Sequence, residues 1–209
     1  MNNAIEFFFD LSSPWTCLAF HNIQPIAAQS DTTIIWRPFL VGGVHNQVNG
    51  TFLEARANEM SSPKWRQQGQ SLMDWAALSE VQLNFPSPHH PLRSVHAMRF
   101  CCALEENQPE LFQFAAAGFD AYYTQQLNLD DPEVLVKIAN ATGLEGETLR
   151  DRSQQQAIKD HLRANTDEAI SRGAFGSPAI FVPFAGGERL YFGNDQLPLV
   201  EWAIAQATT

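Results

Sequence analysis

Apolar residues cluster in short blocks at both ends of the chain and recur at helical spacing through its middle. AIEFFFD, residues 4–10, is a compact aromatic-rich block and predicts a strand. Ser13 then stands where a helix N-cap belongs, with Pro14 at the first helical position. Trp15, Leu18, Ala19, Ile23 and Ile26 follow at a spacing that gives a helix one buried face. TTIIWRPFLV, residues 32–41, predicts a second strand. Two strands joined through a helix close most simply as a parallel βαβ unit.

From about residue 60 to 172 the period is helical and strand signals are almost lacking. Pro63, shortly after a serine, opens a helix to about Leu78, and the three prolines of NFPSPHHP (84–91) enforce a loop. Helices are expected at 93–106, 109–126, 131–142 and 146–172, with Gly143 stopping the third. Strand character returns in AIFVPF (179–184) and ERLYFG (188–193), which flank the hairpin signal AGG. Asp195 is expected to cap a last helix. The order βαβ, helices, ββα predicts an α/β fold. Residues 1–45 and 173–209 would form one domain, with a helical domain, 46–172, inserted into it.

Composition narrows the partners. The chain has 209 residues, 44% hydrophobic and 17% charged, enough for one sizeable core. Its net charge of -10 argues against nucleic acid or an anionic membrane surface as partner. Apolar runs all fall short of the ~20 residues of a membrane span. MNNA leads straight into the first strand, which points to a cytoplasmic protein. Cys17, Cys101 and Cys102 form no CxxC, so neither a disulfide framework nor a metal knuckle is expected. His89 and His90 lack further ligands at suitable spacing, and no metal is expected.

Four short segments can carry chemistry. At Ser13-Pro14-Trp15-Thr16 the free amides and dipole of a helix start favour an anion and lower a thiol's pKa; Ser13 is otherwise simply an N-cap. Gly176-Ser177-Pro178 precedes a strand. A cis bond there would turn the backbone of Ser177 outward to pair with an extended ligand; a trans proline opening the strand is the plain alternative. Asn194 and Asp195 either cap the last helix or hold a zwitterion, the carboxylate taking an ammonium group. Cys17 and His21 stand four apart, as a nucleophile and base or as packing.

FFFDLSSPWTCLAF, FPSPHHPLRSVHAMRF, AISRGAFGSPAIFV and FGNDQLPLVEWAI occur in one order along nearly the whole chain. In this the chain resembles the thioredoxin-like family of kappa-class glutathione transferases and 2-hydroxychromene-2-carboxylate isomerases. The resemblance implies a thioredoxin-like fold with an inserted all-helical domain, glutathione as cofactor, and a homodimer. It implies that Ser13 hydrogen-bonds the glutathione sulfur beside Trp15, and that Ser177, before a cis Pro178, pairs with the cysteinyl part. Asn194 and Asp195 would hold the γ-glutamyl end, and Lys64 and Asn49 would reach the glycyl carboxylate. Where relatives often carry tyrosine and aspartate, three and seven residues after that lysine, this chain has Gln67 and Ser71. Disulfide oxidoreductases of the DsbA type share the architecture, but the two cysteines of their CxxC would occupy Ser13 and Thr16, both hydroxyl residues here.

The activity so implied is a glutathione-dependent isomerisation, the thiolate adding reversibly to a conjugated aromatic keto acid. The alternatives are a kappa-like transferase or peroxidase acting on another small aromatic electrophile, and a non-catalytic glutathione-binding relative. A keto-acid substrate would need an apolar slot, for which Trp15 and Phe39 are candidates, and a cation from Arg37, Arg93 or Arg99.

Overall fold

The computed structural model of the chain describes residues 4–48 and 62–207. Strand β1 (Ala4–Phe9), helix α1 (Pro14–Gln29) and strand β2 (Thr33–Pro38) form the parallel unit, in register from Ala4↔Thr33 to Phe9↔Pro38. The second strand stops short of residue 41 because helix α2 (Val41–Val48) begins there. Its two glycines disfavour a helix. Its start is held from outside: the amide of Leu40 donates to Thr166 Oγ1 at 3.0 Å and that of Val41 to Asp10 Oδ2 at 2.9 Å.

Helix α3 (Pro63–Leu78) is capped by Ser62, whose hydroxyl accepts from the Trp65 amide at 3.2 Å. Then come α4 (Val95–Leu104), α5 (Gln108–Tyr123) and α6 (Pro132–Ala141), with Gly143 at φ 82° just past the last of these. The segment 146–172 is two helices, not one: α7 (Gly146–Gln154) and α8 (Gln156–Ser171) meet at an extended Gln155, with φ -61° and ψ 143°. No proline or glycine marks that break. The bend lets both helices pack against α4, and Arg152 anchors it by donating to the Ala103 carbonyl at 2.6 Å.

Strands β3 (Ala179–Phe184) and β4 (Gly187–Phe192) form the hairpin, its two-residue turn closed by Gly186 at φ 83°. The sheet order is β2-β1-β3-β4, with β3 antiparallel to both neighbours. Asp195 does not cap the final helix, α9 (Leu197–Ala207). It lies inside a 3-10 turn, Asn194–Gln196, entered through Gly193 at φ 93°.

Alternation along β1 sets the core. Phe7 and Phe9 face α1 and the helices, meeting Phe20, Trp36 and Phe119. Phe8 faces the other way, onto Phe39 and Phe181. All three are fully buried, each worth roughly 1.5–3 kcal/mol of apolar transfer. The first cluster runs without a break from the sheet into α4, α5 and α6 through Phe100, Phe114 and Leu135.

Candidate functional site

The turn between β1 and α1 is fixed from below by Asp10, which is fully buried. Its Oδ1 accepts from the Ser12 amide at 2.9 Å; its Oδ2 accepts from the Val41 amide and, at 3.0 Å, from Ser94 Oγ. Burial pushes the Asp10 carboxyl above the usual carboxylate range, a rise that the bonds from Ser12, Val41 and Ser94 oppose without cancelling.

Ser13 sits above it as the N-cap of α1, its Oγ accepting from the Thr16 amide at 3.2 Å. The same hydroxyl donates to the Ser177 carbonyl at 3.0 Å, across 164 residues of chain. The Ser177–Pro178 peptide bond is cis, and both residues are buried. Ser177 Oγ accepts from the Asp10 amide at 3.0 Å and lies 2.8 Å from Thr16 Oγ1. Gly176 is required just before: a Cβ there would lie 2.5 Å from the Phe192 ring. The helix start and the proline loop are thus joined through hydroxyl groups at residues 13, 16 and 177, and no thiol takes part.

The remaining expected site residues are placed unequally. Trp15 is half-buried next to Ser13 and packs against the core. Asp195 is exposed, whereas Asn194 is 1% exposed and its Oδ1 accepts from Asn22 Nδ2 at 2.8 Å. Asn194 therefore faces inward as a clip between the 3-10 turn and α1. Lys64 lies at the exposed start of α3, with no polar contact to Ser13, Ser177 or Asp195 among the described residues. Gln67 and Ser71 bond each other at 2.8 Å on the exposed face of that helix. Asn49 lies outside the described residues.

Cys17 faces the core at 7% exposure, its thiol pushed up to about 12 by burial and by Asp120. His21 is exposed and no hydrogen bond joins it to Cys17 among the described residues. Burial also pushes the Cys101 and Cys102 thiols up, helped by Glu105. Arg37 is committed: it pairs with Glu6, with Glu105 at 3.0 Å and with Glu168 at 2.6 Å. Phe39 belongs to the core beside Phe8, so it walls no slot. Arg93 is exposed. Arg99 is half-buried, with no partner for its Nε among the described residues.

Two other features have chemistry of a different kind. A cavity of about 350 Å³ runs along α1 and α5 over Cys17, Phe20 and Phe112. Neither Ser13 nor Ser177 lines it, and the carboxylates of Glu80 and Asp120 at its rim oppose an organic acid. Cys102, Glu105 and His161 bring a thiol, a carboxylate and an imidazole within 4.8 Å. Glu105 is already bonded to Arg37, to Asn165 at 2.7 Å and to His161 at 2.8 Å, so an ion network accounts for the grouping.

Residues 4–205 match the model of the DSBA-like thioredoxin domain. The chain belongs to that family. Within it, the chain is 26% identical over 203 residues to 2-hydroxychromene-2-carboxylate isomerase of Sphingobium xenophagum, covering 96% of this chain and 97% of the relative. It is also 26% identical over 211 residues to glutathione S-transferase kappa 1 of Caenorhabditis elegans, covering 94% and 88%. Among solved structures, that of a 2-hydroxychromene-2-carboxylate isomerase superposes with a TM-score of 0.78 at 19% identity, over 98% of this chain and 96% of the other. These relatives are isomerase and glutathione transferase enzymes. This DSBA-like chain carries a Ser-Pro-Trp-Thr corner in their company.

Asp10, Thr16 and Gly176 lie with Ser13 and Ser177 around this corner, and the sequence alone gives them no separate roles. Thr16 holds the fourth position of the corner segment that the sequence singles out, which is its only local signal. The signal for Asp10 was a lone carboxylate at the end of an aromatic strand, which also fits an ordinary strand end.

Proposed function

We propose that the protein is a glutathione-dependent isomerase of the 2-hydroxychromene-2-carboxylate isomerase type. One observation carries the reading: a hydroxyl at the positive end of α1 stands 3.0 Å from the carbonyl before Pro178, with thiols at neither end of the corner. Such a site is suited to a thiolate brought by a ligand, because the helix start and a hydroxyl donor both stabilise sulfur anion. Protein thiols shift by one to several units from ~8.5 in such fields.

In this reading Ser13 donates its O–H to the sulfur and needs no base, acting as neither nucleophile nor acid. Ser177 and Pro178 present an edge of backbone to the cysteinyl part, an extended peptide adding to the sheet. Exposed Asp195 takes the γ-glutamyl ammonium, and the backbone of Asn194 supplies the neighbouring contact. Lys64 and Asn49 meet the glycyl carboxylate, and Trp15 shields the sulfur. Bound glutathione supplies a thiolate that adds reversibly to a conjugated double bond and leaves again after rotation, so it is not consumed. Cytoplasmic action as a homodimer, with residues 46–172 as the helical insert over the site, completes the proposal.

A kappa-like transferase is the second reading, and the state of Arg37 bears on it: three glutamates hold that guanidinium, which leaves only Arg93 and Arg99 of the three candidates to meet the carboxylate of a keto-acid substrate. The decisive experiment is a crystal structure with glutathione, together with Ser13→Ala assayed on a chromene carboxylate and on a neutral aromatic electrophile. Peptide lying between Ser13, Ser177 and Asp195, with turnover lost and binding kept in the variant, is the expected result. Glutathione bound elsewhere rejects the assignment.

A further inference from the structure

We propose that Thr16 is a positioning residue for the thiol ligand, holding the Ser177–Pro178 loop in place when the Ser13 hydroxyl turns to sulfur. The inference rests on the glutathione reading of the site. A hydroxyl has one proton to give. That of Ser13 is directed at the Ser177 carbonyl, while its oxygen accepts from the Thr16 amide. A sulfur anion bonded to Ser13 must take that proton's direction, so the link from Ser13 to the loop is exchanged for a link to the ligand. The Ser177 carbonyl released in the exchange becomes an acceptor for an amide of the ligand.

Two ties then remain between the loop and the turn, and both end on Ser177 Oγ: one from the Asp10 amide at 3.0 Å and one with Thr16 Oγ1 at 2.8 Å. Thr16 is fully buried beneath Ser13, out of reach of a ligand, so its hydroxyl has no competing partner from solution. It stands one turn into α1, whose own hydrogen bonds and aromatic packing keep it fixed. The loop enters through Gly176, where a Cβ would lie 2.5 Å from the Phe192 ring, and that ring lies 4.6 Å from the exposed Phe175, tilted by 49°. Thr16 therefore supplies the rigid side of the clamp and Ser177 the side to be held.

Thr16→Val keeps the branched shape and deletes the hydroxyl, whereas Thr16→Ser keeps the hydroxyl. Glutathione affinity measured by calorimetry is expected to fall about tenfold in Thr16→Val, the scale of one buried hydrogen bond, and to stay within about twofold in Thr16→Ser. Hydrogen exchange of the amides of residues 174–177 and 179, measured without glutathione, should quicken in Thr16→Val and not in Thr16→Ser. Affinity and exchange both unchanged in Thr16→Val overturn the proposal. If folded wild-type protein does not bind glutathione, the functional reading fails, and the exchange data alone decide whether Thr16 clamps the loop.

Discussion

Ser13 does two things with one oxygen. It caps α1 and it bridges to the proline loop, and only the second role points to a ligand. Burial decides which side chains of the corner are reactive. With its pKa pushed up to about 12, the Cys17 thiol is ionised to only about one part in ten thousand at pH 8. Cys101 and Cys102 are shifted in the same direction. Native protein at that pH is therefore expected to resist a disulfide reagent such as DTNB at all three cysteines, and unfolded protein to react at three. Rapid labelling of Cys17 in the folded state would revive a redox role for it. Asn194 shows the same principle with a different outcome: its side chain is buried and bonded to Asn22, while Asp195 beside it is exposed.

Helices and turns in this chain are decided by what their ends and close contacts allow. The amide of Gly146 donates to Asn140 Oδ1 at 2.9 Å at the start of α7, and a Cβ there would lie 2.5 Å from the Val136 carbonyl of α6. Gly146→Ala is expected to destabilise by roughly 1–3 kcal/mol, since backbone atoms cannot give way. Gly69 is the opposite case. It lies in the middle of α3, exposed, with nothing within 4 Å of its missing Cβ. Gly69→Ala should stabilise by roughly 0.5–1 kcal/mol through helix propensity. Thermal unfolding of the two variants checks both signs. At about 2–4 °C per kcal/mol for a chain of this size, the midpoints should move apart by several degrees. Equal shifts would mean that close approach at the helix start is unimportant.

Across the whole molecule, a network of charges fastens the sheet to the helical segment. Arg37 on β2 reaches Glu6 on β1, Glu105 past α4 and Glu168 on α8; Arg172 joins Glu6, Glu168 and Glu188 of β4. Burial raises the Glu168 carboxyl, but hydrogen bonds and charge from Arg37 and Arg172 outweigh it and hold the group below its usual 4.5. The unfolded chain then binds that proton more readily. The stability contributed by Glu168 is present above its unfolded value and is lost as pH falls through the folded one. Urea midpoints of the wild type should therefore fall more steeply between about pH 5 and 3 than those of Glu168→Gln, and added salt should narrow the difference. Parallel curves would show that the network does not couple to folding.

Most of the elements and their order are legible in the amino-acid sequence, because they follow from local signals: the aromatic block of β1, Ser13 before Pro14, the prolines of 84–91 and the AGG turn. The sequence also shows hydroxyl residues, and no cysteine, at Ser13 and Thr16; burial of Cys17 is a fact of the tertiary structure. What the tertiary structure decided depends on groups far apart in sequence. The two glycines of 41–48 disfavour a helix, yet Asp10 and Thr166 hold the amides at its start. Nothing local broke 146–172 at Gln155; packing of both halves on α4 did. Arg37 is by sequence a candidate for a substrate's carboxylate, but Glu6, Glu105 and Glu168 hold it in the fold. Ser13, Thr16 and Ser177 came together for the same reason: a hydrogen bond depends on distance in space, and 164 residues of chain had to fold before Ser13 met its partner.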